Sequence, residues 1–415
     1  MKLLIYEHAS AAGFQAESVN PSILCEGFGM LRTIIEDAKN AGHDVTTILH
    51  HQILELRPPL EAHHEIAVDS PSEAENAIKE ATDILDAAYV LAPETSGVLK
   101  ELVEKIERSN TESLNSTGSA IAKVSDKLFL QQHARKIGLS TPATLEFDVK
   151  EGAEKVARTV AEEIGFPSIF KPVDGVGCEA MSMVNDEKQV RMAIAQLSKR
   201  AVNHFMVQQP ILGTSASVSL ISNGTQAMPI ALNEQRITLG TPGQGSSYKG
   251  GTTPLNHRLK SAAFAAARKL VESVPGLKGY VGVDLVLTEN EPVVIEINPR
   301  LTTSYIGIRK TVEANLAQTI VDATVRRALP RKEKTKGYAY FEKVETPSPQ
   351  NRVLQETFCV PEVVSPPFPT PNEMTSALVC THASTPQAAK KDFSNAEKHL
   401  RAMLLSGGRS ERRTL

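Results

Sequence analysis

The stretch Val281–Arg300 constrains this chain more than any other. Two apolar runs, Val283-Asp284-Leu285-Val286-Leu287 and Val293-Val294-Ile295-Glu296-Ile297-Asn298, are joined by Thr288–Pro292. They read as two strands of a hairpin. A turn centred on Asn290 sets Asp284 directly opposite Glu296. The strand period of two then gathers Val283, Leu285, Leu287, Val293, Ile295 and Ile297 on one face, and Asp284, Glu296 and Asn298 on the other. Carboxylates opposed on neighbouring strands have Cβ atoms only about 5 Å apart and repel, so something must compensate them. Three oxygen-bearing side chains without sulfur or imidazole suit Mg²⁺, which prefers hard oxygen ligands plus water and phosphate. Arg300, just beyond, is placed to meet a phosphoryl or carboxylate oxygen bidentately. An amphipathic hairpin with a wet polar face would show the same alternation. The shared face of the trio and the Pro299-Arg300 sequel favour the metal.

At 415 residues the chain is too long for one ordinary domain and suggests two or three. A net charge of −3 offers no basic field for nucleic acid or anionic lipid. Cys25, Cys178, Cys359 and Cys380 are widely separated, which argues against a zinc site or disulfide framework and fits a reducing compartment. The apolar start Leu3-Leu4-Ile5-Tyr6 meets Glu7 and His8 too soon for a signal segment. No apolar run is long enough to span a membrane. The expected setting is cytoplasmic.

Residues 1–120 alternate strands and helices, which implies a parallel sheet of α/β type. No GxGxxG accompanies it, so no dinucleotide site is indicated. Residues 121–330 read as an α+β region. A helix carries Ser125-Asp126-Lys127 and runs to about Ile137. Ser168-Ile169-Phe170-Lys171 is a strand followed by the loop Asp174-Gly175-Val176-Gly177, and Asn223-Gly224 marks a tight hairpin. Thr238–Pro254 holds five glycines and no hydrophobic period, and reads as a long loop placed to cover substrates. Residues 331–415 read as a charged linker, a proline-rich connector at Ser365–Pro371 without a core of its own, and a small appended α/β module.

Lys171 ends an apolar strand, where a partly desolvated ammonium needs an anion. Phosphate would serve, although a snorkelling lysine is the commoner fate. Lys127 sits on its helix beside Asp126. Gln208-Gln209-Pro210-Ile211 can present backbone groups to an adenine edge, or be an ordinary edge strand. His50-His51 and His63-His64 lack ligand spacing and read as exposed polar residues.

Taken in order, Ser125-Asp126-Lys127, Phe170-Lys171-Pro172, Val207-Gln208-Gln209-Pro210-Ile211-Leu212-Gly213, Gly282-Val283-Asp284 and Glu296-Ile297-Asn298-Pro299-Arg300 resemble the ATP-grasp superfamily over about residues 120–310. The resemblance implies an ATP-grasp fold with a Rossmann-like pre-ATP-grasp domain (1–120), an ATP-grasp domain whose two subdomains clasp ATP (121–330), and a C-terminal module (331–415). It implies that Lys127 and Lys171 meet nucleotide phosphates, that Gln208, Gln209 and Ile211 flank adenine, and that Asp284, Glu296 and Asn298 hold Mg²⁺, with Mn²⁺ as a substitute. Arg300 would stabilise the transferring phosphoryl group or an acyl phosphate. Two departures stand out. The family usually has glutamate where Gln208 stands, and often a ribose-binding glutamate where Ser215 stands. Ile5-Tyr6-Glu7, Glu26-Gly27-Phe28-Gly29-Met30 and Leu91-Ala92-Pro93-Glu94 look most like the subgroup containing the archaeal tyramine–glutamate ligase of methanofuran biosynthesis. That likeness implies a carboxylate–amine ligase with small-molecule substrates, and a homodimer as its candidate assembly. A kinase releasing a phosphorylated product and a nonenzymatic ATP-binding module are the rival readings.

Overall fold

The computed structural model describes residues 1–14, 19–173, 178, 180–200, 202–331, 334–370 and 373–407. The glycine loop at 174–177 lies outside the described residues. No helix among them is long and apolar enough to cross a membrane.

The first sheet is parallel, in the spatial order His64–Val68, Asp44–His50, Lys2–Glu7, Ala87–Leu91, Glu112–Ser113. Its central strands are buried on both faces, so Leu3, Leu4, Ile5 and Tyr6 run apolar without alternation. The order reverses between Lys2–Glu7 and Ala87–Leu91. Such a switch point opens a crevice at the strand C-termini, where Glu7 and Glu94 stand. The helix Pro21–Asn40 starts with Asn20 capping Ser22 N–H and a proline at its head. It buries Leu24, Phe28, Leu31 and Ile35. A Cβ on Gly27 would stand 2.5 Å from Glu7 Oε1, and one on Gly29 would stand 2.9 Å from Leu378 Cδ2. Close approach explains both glycines.

Two antiparallel sheets follow. The smaller orders Thr144–Asp148, His204–Gln208, Ser168–Pro172, Ser182–Val184; the larger orders Ala227–Glu234, Thr214–Asn223, Lys278–Leu287, Pro292–Asn298. Each has its own core, with Phe147, Phe170 and Phe205 stacked in the smaller. The expected continuous helix through Ser125-Asp126-Lys127 is instead two, Gly118–Ser125 and Lys127–Lys136. Asp126 leaves helical geometry, and its Oδ1 accepts from Leu128 and Phe129 N–H. Lys127 thereby opens a new helix.

A fourth sheet corrects two expectations. Thr238–Pro254 is not a long loop, because Ser247–Thr253 is a strand and pairs with Tyr338–Pro347. The glycines serve contact: a Cβ on Gly250 would meet Phe341 O at 2.1 Å, and one on Gly251 would meet Glu234 O at 2.0 Å. Glycine permitted by close packing mimics, in a sequence, glycine permitted by looseness. The sheet continues through Met374–Ala383 to Val363–Ser365. Strands from beyond residue 331 thus share one sheet with a strand of the central region. The proline-rich connector is also anchored over residues 365–370, since Phe368 is buried with its ring centroid 4.8 Å from that of Phe28. His50 is buried too, against expectation, and caps the helix His51–Glu55 by accepting from Gln52 N–H.

Candidate active site

The predicted pairing of Asp284 with Glu296 is present, but the chain reaches it differently. Leu287 pairs with Pro292 and Leu285 with Val294, then the register slips by one and Asp284 faces Glu296. Ile295 is the extra residue of a β-bulge. The bulge turns Val294 into the core and Ile295 onto the cleft wall, so Ile295 does not share the apolar face with Ile297. Gln131 Nε2 donates to the Ile295 carbonyl at 2.8 Å, and Val294 N–H donates to Ser140 O at 2.9 Å.

The cleft between the two central sheets is lined by Lys127, Lys171, Ser215, Asp284, Glu296, Asn298 and Arg300 together. Lys127 Nζ is 3.8 Å from Glu296 Oε2, whose side chain keeps 28% of its surface exposed. Lys171 is buried at 7% exposure. Burial, then the charge of Lys127, pushes its ammonium down to about 8. Burial, then Glu296, pushes the Asp284 carboxyl well above the usual carboxylate range. Burial also raises Glu296, but Lys127 and Lys171 outweigh it and hold that carboxyl below its ordinary value. Asn298 Nδ2 donates to Asp284 Oδ2 at 3.2 Å, and Gln235 Nε2 donates to Oδ1 at 3.0 Å. Among the described residues, no three His, Cys, Asp or Glu side chains cluster as a metal site. The trio reaches three oxygen donors only through the Asn298 amide. Cys178 also lines the cleft, and burial pushes its thiol up to about 12, too high for a thiolate nucleophile near neutral pH.

Arg300 is held from the first sheet. Its Nε and Nη2 donate to Glu94 Oε2 at 3.2 and 3.0 Å, and Nη1 donates to Leu301 O at 3.0 Å. Gln208, Gln209 and Ile211 are not among the residues lining that cleft. Gln208 is buried with Nε2 donating to Thr144 Oγ1 at 2.9 Å, and Gln209 N–H donates to Ala143 O at 3.0 Å. The Gln209 donor therefore serves the fold.

Sequence reasoning missed Gln235, Tyr248 and Lys343, and gave Glu26 and Glu94 no role beyond a family likeness. Glu26 lines the cleft from the helix Pro21–Asn40. Tyr248 lines it from the strand Ser247–Thr253, and Lys343 Nζ donates to Glu26 Oε1 at 2.5 Å. No local spacing links residues 49 to 317 positions apart, so only the helix–strand alternation that puts Glu94 after a buried strand offered a hint.

Two antiparallel sheets facing across a charged cleft, behind a parallel αβ unit, define an ATP-grasp architecture. Residues 124–304 match the family model described as the ATP-grasp domain, and residues 43–121 match that described as the pre ATP-grasp 3 domain. The chain thus carries a pre-ATP-grasp domain followed by an ATP-grasp domain, the arrangement of an ATP-grasp ligase. It is similar to the tyramine–L-glutamate ligase of Methanocaldococcus fervens, 28% identical over 77% of this chain and 92% of that one. Among solved structures it resembles the biotin carboxylase β-γ-ATP complex from Campylobacter jejuni (TM-score 0.70, 16% identity, 94% of this chain and 89% of that one). An ATP-grasp superfamily protein from Archaeoglobus fulgidus aligns over 91% of this chain and 99% of that one at TM-score 0.62 and 23% identity.

Proposed function

We propose that this enzyme activates the carboxylate of L-glutamate as an acyl phosphate at the expense of ATP, and joins it to a primary amine such as tyramine, releasing ADP and phosphate. The observation that carries the reading is the convergence of Asp284, Glu296 and Asn298 with Lys127, Lys171 and Arg300 on one cleft. Likeness to the tyramine–L-glutamate ligases supports the substrate pair.

The donor set fits Mg²⁺. Two opposed carboxylates, one pushed toward protonation by burial and then by the other, and an amide oxygen form a hard-oxygen site. Asp284, Glu296 and Asn298 would hold the ion. When bound, it supplies electrostatic neutralisation of the phosphate oxygens. Lys127 and Lys171, which stand near Glu296, would pair with the same phosphates. The backbone of Gln208 and Ile211, beyond the residues lining that cleft, would meet the adenine edge. The substrate carboxylate oxygen attacks the γ-phosphorus and ADP leaves. Arg300, whose Nε and Nη2 are held by Glu94, would offer its remaining N–H groups to the acyl phosphate. The amine nitrogen then attacks the acyl carbon, the C–N bond forms, the C–O bond to phosphate breaks, and an amine proton is released. Positioning and preorganised charge supply the catalysis, with no protein nucleophile.

The reaction requires water to be excluded. The tip of the hairpin between Thr238 and Ser247 docks onto the smaller sheet: Ser246 Oγ donates to Met181 O at 2.6 Å, Met183 N–H donates to Gly240 O at 2.8 Å, and Gly243 N–H donates to Gln196 Oε1 at 3.1 Å. The deciding experiment measures ADP formation from ATP with L-glutamate, with and without tyramine, followed by product mass. The expected result is an amide and stoichiometric ADP, both lost in Asp284→Ala and Glu296→Ala. AMP as the product would rule out the acyl phosphate. A phosphorylated product that accumulates despite the amine would replace the ligase with a kinase.

A further inference from the structure

The carboxylate of Glu26 lines the same cleft and is engaged by donors of its own, outside the Asp284, Glu296 and Asn298 set. Its Oε1 accepts from Lys343 Nζ at 2.5 Å and its Oε2 accepts from Thr303 Oγ1 at 2.6 Å. Each carboxylate oxygen can accept twice, so each retains one acceptor position, and Glu26 with Thr303 lines the open cleft. An aromatic wall stands beside them. Tyr248 also lines the cleft, and Lys343 Nζ lies 5.6 Å from its ring centroid. The corner therefore already holds one primary ammonium between a carboxylate and an aromatic face. A carboxylate beside a π face is the chemistry that selects such a group over a neutral amine.

We propose that Glu26 and Tyr248, set by Thr303 and Lys343, form the subsite that receives the primary ammonium of an arylalkyl amine acceptor. The proposal rests on the ligase reading above and adds to it the recognition of the second substrate. It also gives the C-terminal segment a part in the chemistry. Lys343 lies on the strand Tyr338–Pro347, beyond the residues that match the ATP-grasp family model, and fixes Glu26 from there. The glutamate to be activated then docks nearer Arg300.

The test uses the full chain with ATP, Mg²⁺ and L-glutamate, and two nucleophiles. Hydroxylamine is neutral near pH 7.5 and traps the acyl phosphate as a hydroxamate; tyramine is cationic. In Glu26→Gln the KM for tyramine should rise at least about tenfold, about 1.4 kcal/mol, while hydroxamate formation persists at temperatures below the lowered melting point that loss of the Lys343 pair brings. Tyr248→Leu should raise the same KM and Tyr248→Phe should not, because the phenyl ring keeps the π face. An unchanged tyramine KM in Glu26→Gln overturns the proposal. So does parallel loss of hydroxamate and amide with a raised KM for glutamate, which would assign Glu26 to the acid instead. A wild-type enzyme that makes hydroxamate but no amide from tyramine overturns it as well. Failure of the ligase reading itself shows separately, as a wild type that forms neither hydroxamate nor ADP with glutamate.

Discussion

Asp284 and Glu296 are opposed in the ladder and repel, a local instability of the kind that functional sites accumulate. Replacing Asp284 by Asn removes the repulsion and keeps the shape. Thermal melts of the metal-free protein at alkaline pH, where both carboxylates are ionised, should show Asp284→Asn about 2 °C more stable than wild type, with ADP formation abolished. Lys171 carries the pH dependence. Its ammonium is pushed down to about 8, so above that pH it meets nucleotide phosphates only by taking up a proton. ATP affinity should fall by up to about one log unit per pH unit between pH 8 and 9.5. Lys171→Arg, charged throughout, should show no such fall in calorimetric titrations. The sign for folding is opposite. A lysine depressed in the folded state holds fewer protons than the unfolded chain, so its unfavourable contribution below pH 8 is relieved as pH rises toward the ordinary lysine range. These residues were legible in the sequence because lysines at strand and helix ends and alternating carboxylates are local patterns.

At the scale of elements, two devices position the chemistry. One is the bulge at Ile295, which corrects a four-residue turn so that Asp284 still faces Glu296. The other is the docked tip between Thr238 and Ser247. Ser246 Oγ both accepts from Gly240 N–H at 3.0 Å and donates to Met181 O at 2.6 Å. Ser246→Ala should loosen that contact and admit water. The predicted sign is uncoupling: the ratio of ADP to amide climbs above one while the overall fold, followed by circular dichroism, is retained. A ratio that stays at one would mean that the cleft is sealed elsewhere. Neither device was readable beforehand. A bulge leaves the strand's composition unchanged, and a glycine-rich strand squeezed against Phe341 and Glu234 looks like a loop until its neighbours are known.

For the whole molecule, the helix Pro21–Asn40 lies between the parallel sheet and the sheet built from residues 236–383, with Phe28 against Phe368 and Gly29 against Leu378. Removing residues 331–415 would strip that face and leave the strand Ser247–Thr253 without its partner Tyr338–Pro347. Such a truncation should be aggregated by size-exclusion chromatography and recovered poorly in soluble form. A soluble truncated chain that still binds ATP would show that the segment is an appendage. By itself the sequence determined the alternating architecture, the pairing of Asp284 with Glu296 and the choice of Lys127 and Lys171 as cleft residues, because each depends on a period or spacing within about twenty residues. Only the tertiary structure decided that Glu94 holds Arg300, that Gln235 supports Asp284, and that Lys343 from the last strands sets Glu26 beside Tyr248. Those pairs are separated by 49 to 317 positions. They meet only because the buried faces of separate sheets and helices pack together, and that packing leaves no short-range signature.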